Sequence, residues 1–196
     1  MLKQKYFIDS HKGATPLLVI ALISYFNQWN NVDALLYLAL HGTYGLLWMI
    51  KSRIFPDKQW EQKTSIWYGL TIWAGLSLYW IAPYIITTNQ HFLPFEIRQN
   101  SLHICCCVMI YIFGIFLHFT SDMQKYISLK LKEGHLIDNY MFSKVRNPNY
   151  LGEFFIYIGF TLLACDWTPL IALFIFILFI WIPNMIKKDK SLSKYQ

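Results

Sequence analysis

The sequence predicts an all-α integral membrane bundle of about six transmembrane helices, with the N-terminus and C-terminus both cytoplasmic. Three observations predict it. First, of 196 residues 56% are hydrophobic and 18% aromatic, while only 14% are charged. Soluble domains carry about 25% charged residues, so a soluble fold of this size lacks the polar side chains to cover its surface. Second, the apolar residues are grouped into long runs rather than spread along the chain. Third, if the first run leaves the cytoplasm, every Lys and Arg of the 17 except Arg98 falls on the cytoplasmic side. Such asymmetry is what the positive-inside rule describes.

The runs cover 15–28, 32–50, 65–86, 102–120, 150–164 and 168–186. Several are shorter than the roughly 20 residues of a perpendicular span, so aromatic and polar flanks extend them into the interface. Lys3 and Lys5 precede the first run as in a signal peptide. No small-residue cleavage site follows, and the run leads into Asn27, Trp29 and Asn30, so a retained first helix is expected. The third run follows a polar loop containing Phe55-Pro56-Asp57. After the fourth, a basic cytoplasmic segment of about thirty residues is expected. The fifth and sixth are joined by Cys165-Asp166-Trp167, short enough to force an antiparallel hairpin. Tilt or local thinning then accommodates their short arms.

The net charge of +6 is explained by basic loops beside an anionic leaflet, without nucleic acid. Cys105, Cys106 and Cys107 are consecutive in a helix and point in three directions. They cannot converge on one metal, and Cys165 stands apart, so neither a disulfide framework nor a metal site is expected. The chain has no low-complexity segment or clear repeat. It reads as one membrane domain, 1–196, with two functional halves, an N-terminal one (1–100) and a C-terminal one (101–196) that is denser in unusual features.

The stretch from Lys144 to Glu153, KVRNPNYLGE, is the most informative. Asn147 is placed to cap a helix, and Pro148 sits at its first position, where a missing N–H costs nothing. The free amides of that turn, beside Lys144 and Arg146, form a site for phosphate or carboxylate. Asn149, Glu153 and Tyr157 recur every four residues and share one face. A carboxylate in a membrane helix costs roughly 2.5–3.5 kcal/mol at the centre and faces a partner or a cavity. His118 and Asp122 repeat the spacing at the cytoplasmic end of the preceding run.

These residues carry a family resemblance. Ser121-Asp122, a basic stretch, Asn149-Tyr-Leu-Gly-Glu153 and then Gly159-Phe160 resemble the C-terminal domain of the steroid 5-alpha-reductase family. Arg146-Asn-Pro-Asn-Tyr150 is similar to the Arg-His-Pro-x-Tyr signature of isoprenylcysteine carboxyl methyltransferases, phospholipid methyltransferases and sterol C14-reductases. The resemblance runs from about Phe116 to Ile182 and fits bacterial reductase-like members, which implies a multi-pass protein of a bacterial inner membrane. It implies an NADPH site in which Asp122, Asn149, Tyr150 and Glu153 meet polar groups of the cofactor. Lys144 and Arg146 would meet its phosphates, and Tyr195 would make a further contact.

Reductases of this family use a Glu and a Tyr from the N-terminal helices to polarise a conjugated carbonyl. His41-Gly-Thr-Tyr44 resembles their His- and Tyr-containing helix, which makes Tyr44 the candidate proton donor, but no Glu precedes Glu61. Family members also continue beyond the position of Gln196, which implies a truncated or divergent member. The expected activity is reduction of an α,β-unsaturated carbonyl in a lipid or steroid-like molecule. The alternative is methyl transfer from S-adenosylmethionine, against which stand Asn147 in place of His and a Lys-rich tail in place of an acidic pair. A non-catalytic membrane protein with His41 as a midplane polar site is a third reading.

Overall fold

The computed structural model describes residues 1–95, 100–132 and 134–193. Arg98, Lys194 and Tyr195 lie outside them. The described chain is all-α apart from a two-residue antiparallel pairing of β1 (Leu2–Lys3) with β2 (Lys63–Thr64). The helices are α1 (Gln4–Tyr25), α2 (Val32–Ile54), α3 (Ile66–Ser77), α4 (Ile81–Thr88), α5 (Ser101–Leu131), α6 (Pro148–Thr161), α7 (Trp167–Phe176) and α8 (Ile182–Leu192). A 3-10 turn joins α3 to α4, and a π-helical segment, Ile177–Trp181, joins α7 to α8. Among the described residues, three rods are long and apolar enough to cross a membrane: Ile66–Thr88, Ser101–Leu131 and Trp167–Leu192.

The six runs read from sequence all fall on helices: 65–86, 102–120 and 168–186 on these three rods, and 15–28, 32–50 and 150–164 on α1, α2 and α6, which are not among the three. Two ends differ from the reading. The first helix starts at Gln4 rather than near Thr15, so Lys5, Asp9, His11 and Lys12 are helical. Hydropathy ends the run too early because these polar groups face the protein: Asp9 accepts from Trp48 Nε1 (3.1 Å) and Ser52 Oγ (2.7 Å) on α2. The fourth helix continues to Leu131, so much of the expected basic loop is helix. Lys12 and Lys51, read as loop cations, are buried within helices.

Direct bonds gather one set of loops at each end of the bundle. At one end, Lys125 of α5 holds Asp57 (2.6 Å), Lys188 of α8 donates to Asn147 Oδ1 (2.8 Å), and Arg146 pairs with Asp189 (2.9 Å). At the other end, Asn31 donates to the Ile86 carbonyl. Asp166, fully buried, caps α7 through the Thr168 amide (2.8 Å) and accepts from the amides of Phe92 (2.8 Å) and Leu93 (3.0 Å). Among the described residues, no Lys or Arg lies at that second end.

The tightest contact is between α5 and α6. A Cβ on Gly114 would sit 2.6 Å from the Ile156 nitrogen and 2.7 Å from the Gly152 carbonyl oxygen. One on Gly152 would collide with the His118 backbone, its Cα 2.8 Å away. Small residues that let backbones touch are the usual basis of helix association in lipid, where apolar burial between helices gains little.

Two stability predictions follow from these contacts. Gly152→Val forces α5 and α6 apart and lowers stability by about 1–3 kcal/mol, the cost of overpacking. Gly42→Ala, whose Cβ would meet Pro16 Cβ at an ordinary 3.6 Å, is tolerated. Thermal unfolding in detergent compares the two. Asp166→Ala strands three backbone amides, costs about 2–3 kcal/mol, and speeds hydrogen exchange at Phe92 and Leu93. Unchanged exchange there would show that Asp166 does not hold this loop.

Candidate functional site

A cavity of about 360 Å³ lies between the first helices and the C-terminal ones. Its walls come from α1 (Ile8, Lys12), α2 (Trp48, Lys51), α3 and the 3-10 turn (Leu76, Tyr79), α5 (His118, Asp122), α6 (Asn149, Tyr150, Glu153, Tyr157) and the π segment (Ile180, Trp181). The helical period explains the α5 and α6 contributions: His118 and Asp122, and likewise Asn149, Glu153 and Tyr157, are successive turns of one face. Gly114 and Gly152 bring those faces together, and His118 Nδ1 lies 3.1 Å from the Asn149 carbonyl oxygen.

Two buried polar clusters line the cavity. In the first, Lys51 forms an ion pair with Asp122, and both side chains are 5% exposed. Lys51 Nζ also lies 3.5 Å from His118 Nε2 and over the Trp48 ring, which stacks on His118. Removing either charge would leave the other buried alone, at a cost far above that of a surface pair. In the second, Glu153 Oε1 accepts from Tyr157 (2.7 Å) and Tyr44 (3.2 Å), and Lys12 Nζ donates to the Tyr157 hydroxyl (3.0 Å). Tyr79 stacks on Tyr157 at 4.3 Å.

Unpartnered acceptors point to what these clusters lack. Asp122 Oδ1 and Asn149 Oδ1 are buried and have no hydrogen-bond partner among the described residues. Each belongs to a cavity-lining side chain. Buried acceptors are seldom left unpaired in folded proteins, and a ligand with N–H or O–H groups would satisfy both. A second cavity of about 630 Å³ shares Lys51, Asp57, Asp122 and Lys125 with the first and continues past Lys58, Tyr126 and Lys130. At this junction, burial tends to raise the Asp57 carboxyl. The Lys125 charge and hydrogen bond outweigh it and hold the group below the usual carboxylate range.

The structure brings Asp122, Asn149, Tyr150 and Glu153 to one cavity, with Asn149 and Glu153 on the shared face that their spacing predicts. It places three other expected residues elsewhere. Tyr44 is fully buried, and its hydroxyl faces Glu153 and Tyr157 rather than the cavity wall. Lys144 is exposed and off the cavity; Arg146, also off it, is engaged by Asp189. Asn147 does not cap α6 with its side chain, which instead accepts from Lys188. Tyr195 lies outside the described residues. Sequence reasoning missed Lys12 and Lys51 as site residues. The signal was a cation at the edge of an apolar run, where a helix that extends past the run carries the charge toward a partner or a cavity.

Comparison with known proteins gives a family. The family model for 3-oxo-5-alpha-steroid 4-dehydrogenase matches residues 68–196, well over half the chain. That range includes Asp122, Asn149, Tyr150 and Glu153 and leaves out Lys12, Tyr44 and Lys51. No curated protein and no solved structure matches. With its apolar helices and buried polar cavity, the chain belongs to the 3-oxo-5-alpha-steroid 4-dehydrogenase family, the membrane oxidoreductases of the steroid 5-alpha-reductase type that act on CH–CH bonds.

Proposed function

We propose that this protein is a membrane-embedded reductase that uses NADPH to saturate the double bond of an α,β-unsaturated carbonyl in a lipid or steroid-like substrate. The observation that carries the reading is the two-sided character of the cavity. Toward the loops it is polar, with Asp57, Lys125, Asn149 and Lys188. Toward the bundle it is walled by Tyr79, Trp48, Leu76, Phe176 and Trp181. A soluble cofactor suits the first side and an apolar substrate the second.

The residues present fit a nicotinamide dinucleotide. The unpartnered Asp122 Oδ1 and Asn149 Oδ1 would accept from its amide or hydroxyl groups, beside Glu153 and Tyr150. Its phosphates would lie at Lys125, where the two cavities join, and at Lys130 in the second cavity, rather than at Lys144 and Arg146. When bound, NADPH supplies a hydride. The protein's own contribution is to exclude water, fix the substrate and stabilise charge that develops on its carbonyl oxygen. Tyr44 enters as the hydroxyl that orients Glu153, its reach to the cavity passing through the shared hydrogen bonds with Glu153 and Tyr157. In this reading residues 1–100 supply most of the substrate walls, joined by Phe176 and Trp181, and 101–196 supply most of the cofactor contacts.

We further propose that six rods span the membrane several times over, with the Lys- and Arg-rich end cytoplasmic. Support comes from the clustering of β1, the 55–65 loop, the end of α5 and α8 at that end, with no described Lys or Arg opposite. In a cysteine-free background, a membrane-impermeant maleimide applied to intact cells is expected to label Asn30→Cys and to spare Lys58→Cys. The reverse pattern would invert the topology.

Purified protein is expected to melt at a higher temperature with NADPH than without it. A ligand at 100 times its dissociation constant stabilises by roughly 2.7 kcal/mol. The gain should shrink by at least half in Asn149→Ala and in Glu153→Gln, each stable in its own right. Stabilisation by S-adenosylmethionine alone would transfer the protein to the methyltransferase reading.

A further inference from the structure

We infer that the ammonium of Lys12 is the anchor for an oxygen of the apolar substrate, holding the carbonyl and the negative charge that develops on it. The inference deepens the reductase reading and rests on it. It starts from a helical lysine that is 1% exposed yet lines the cavity.

A buried ammonium must replace its lost hydration, and Lys12 does so only in part. It has three N–H groups. One is donated to the Tyr157 hydroxyl at 3.0 Å. The rest meet ring faces: Nζ lies 4.3 Å from the Tyr44 ring centre, 5.1 Å from Tyr157, 5.4 Å from Trp48 and 5.6 Å from Tyr79. Rings attract a cation without taking up its donors in a fixed direction. Among the described residues Lys12 forms no ion pair, whereas Lys51, the other buried lysine of the cavity, is neutralised by Asp122. The nearest balancing charge, Glu153, is reached only through Tyr157, which accepts from Lys12 and donates to the carboxylate.

This arrangement holds a positive charge ready rather than spending it. Tyr157 and Glu153 keep the ammonium in place, and its remaining N–H groups are available to an acceptor entering the cavity. The walls around it, Ile8, Trp48, Leu76 and Tyr79, are apolar or aromatic, so that acceptor must arrive on an apolar body. A single carbonyl or enolate oxygen on a lipid meets the condition. A solvated diphosphate does not, and Lys125 at the cavity junction with Lys130 beyond it suits it better. Tyr44 therefore acts at one remove, while Lys12 supplies the charge on the substrate side.

A long-chain alkyl 4-nitrophenol tests the anchor without cofactor or turnover, because its phenol and phenolate absorb at different wavelengths. Bound beside an ammonium, its ionisation should occur about one to two pH units lower than in empty detergent micelles, as for an acid within a few ångströms of an opposite charge. Lys51, His118 and Glu153 also face this space, so the comparison is between variants. The shift is expected to vanish in Lys12→Met and in Lys12→Gln and to persist in Tyr157→Phe, which keeps the ammonium. An equal shift in wild type and Lys12→Met overturns the inference. So does its loss in Tyr157→Phe with retention in either Lys12 variant. Inorganic pyrophosphate supplies the competing arm. If it stabilises the wild type and not Lys12→Met, Lys12 is a phosphate contact and the inference falls. Absence of an NADPH response with the nitrophenolate shift intact would sink the reductase reading and leave the oxygen site standing.

Discussion

Everything at the site depends on how closely α5 and α6 approach. Their backbones touch at Gly114 and Gly152 because neither residue has a Cβ to separate them. Only at that spacing does His118 reach the Asn149 carbonyl and do the Asp122 and Glu153 faces open onto the same space. In lipid, burying one apolar helix against another gains little over lipid contact, so close van der Waals packing has to hold the pair. The same glycines that stabilise the bundle therefore register its polar side chains.

That register makes a costly interior possible. Lys12, Lys51, Asp122 and His118 are almost fully buried, an arrangement that a membrane protein tolerates only where charges find partners or line a cavity. The structure uses both solutions. Lys51 and Asp122 neutralise each other directly. Lys12 and Glu153 are coupled through a phenol and wrapped in aromatic rings. Direct neutralisation suits a structural pair, while a charge balanced at a distance remains available to a ligand. Aromatic residues serve this second case well, since a ring satisfies a cation without being a hydrogen-bond competitor.

The division of labour between the two halves follows from the same geometry. α5 and α6 carry regularly spaced polar residues toward the loops, where a water-soluble cofactor would arrive in the proposed reading. α1 to α3 and the π segment supply rings and aliphatic walls toward the lipid. A π segment widens the helix locally and is often found at functional sites, and here Ile180 and Trp181 of that segment line the cavity. In the proposed reading the cavity joins a polar side that suits a soluble carrier to an apolar side that suits a lipid.

The sequence alone determined that the chain is a helical membrane protein, where most helices run, and which face of α6 is polar. Those properties are local: apolar runs set membrane segments, and a spacing of four residues sets a face whatever the neighbours are. It also showed the family, because Asp122 and the Asn149-to-Glu153 stretch sit within one contiguous region. Tertiary structure alone decided the partners. Lys12 and Lys51 read as loop cations because hydropathy stops at a charge, yet burial turns both inward against groups more than sixty residues away. Tyr44 read as a substrate contact, but its hydroxyl is taken up by Glu153 and Tyr157 from the other half. Lys144 and Arg146 read as phosphate ligands from their place before a helix, and the docking of α8 gives Arg146 to Asp189 instead. Spacing along a chain fixes what one helix presents; only packing fixes what stands opposite.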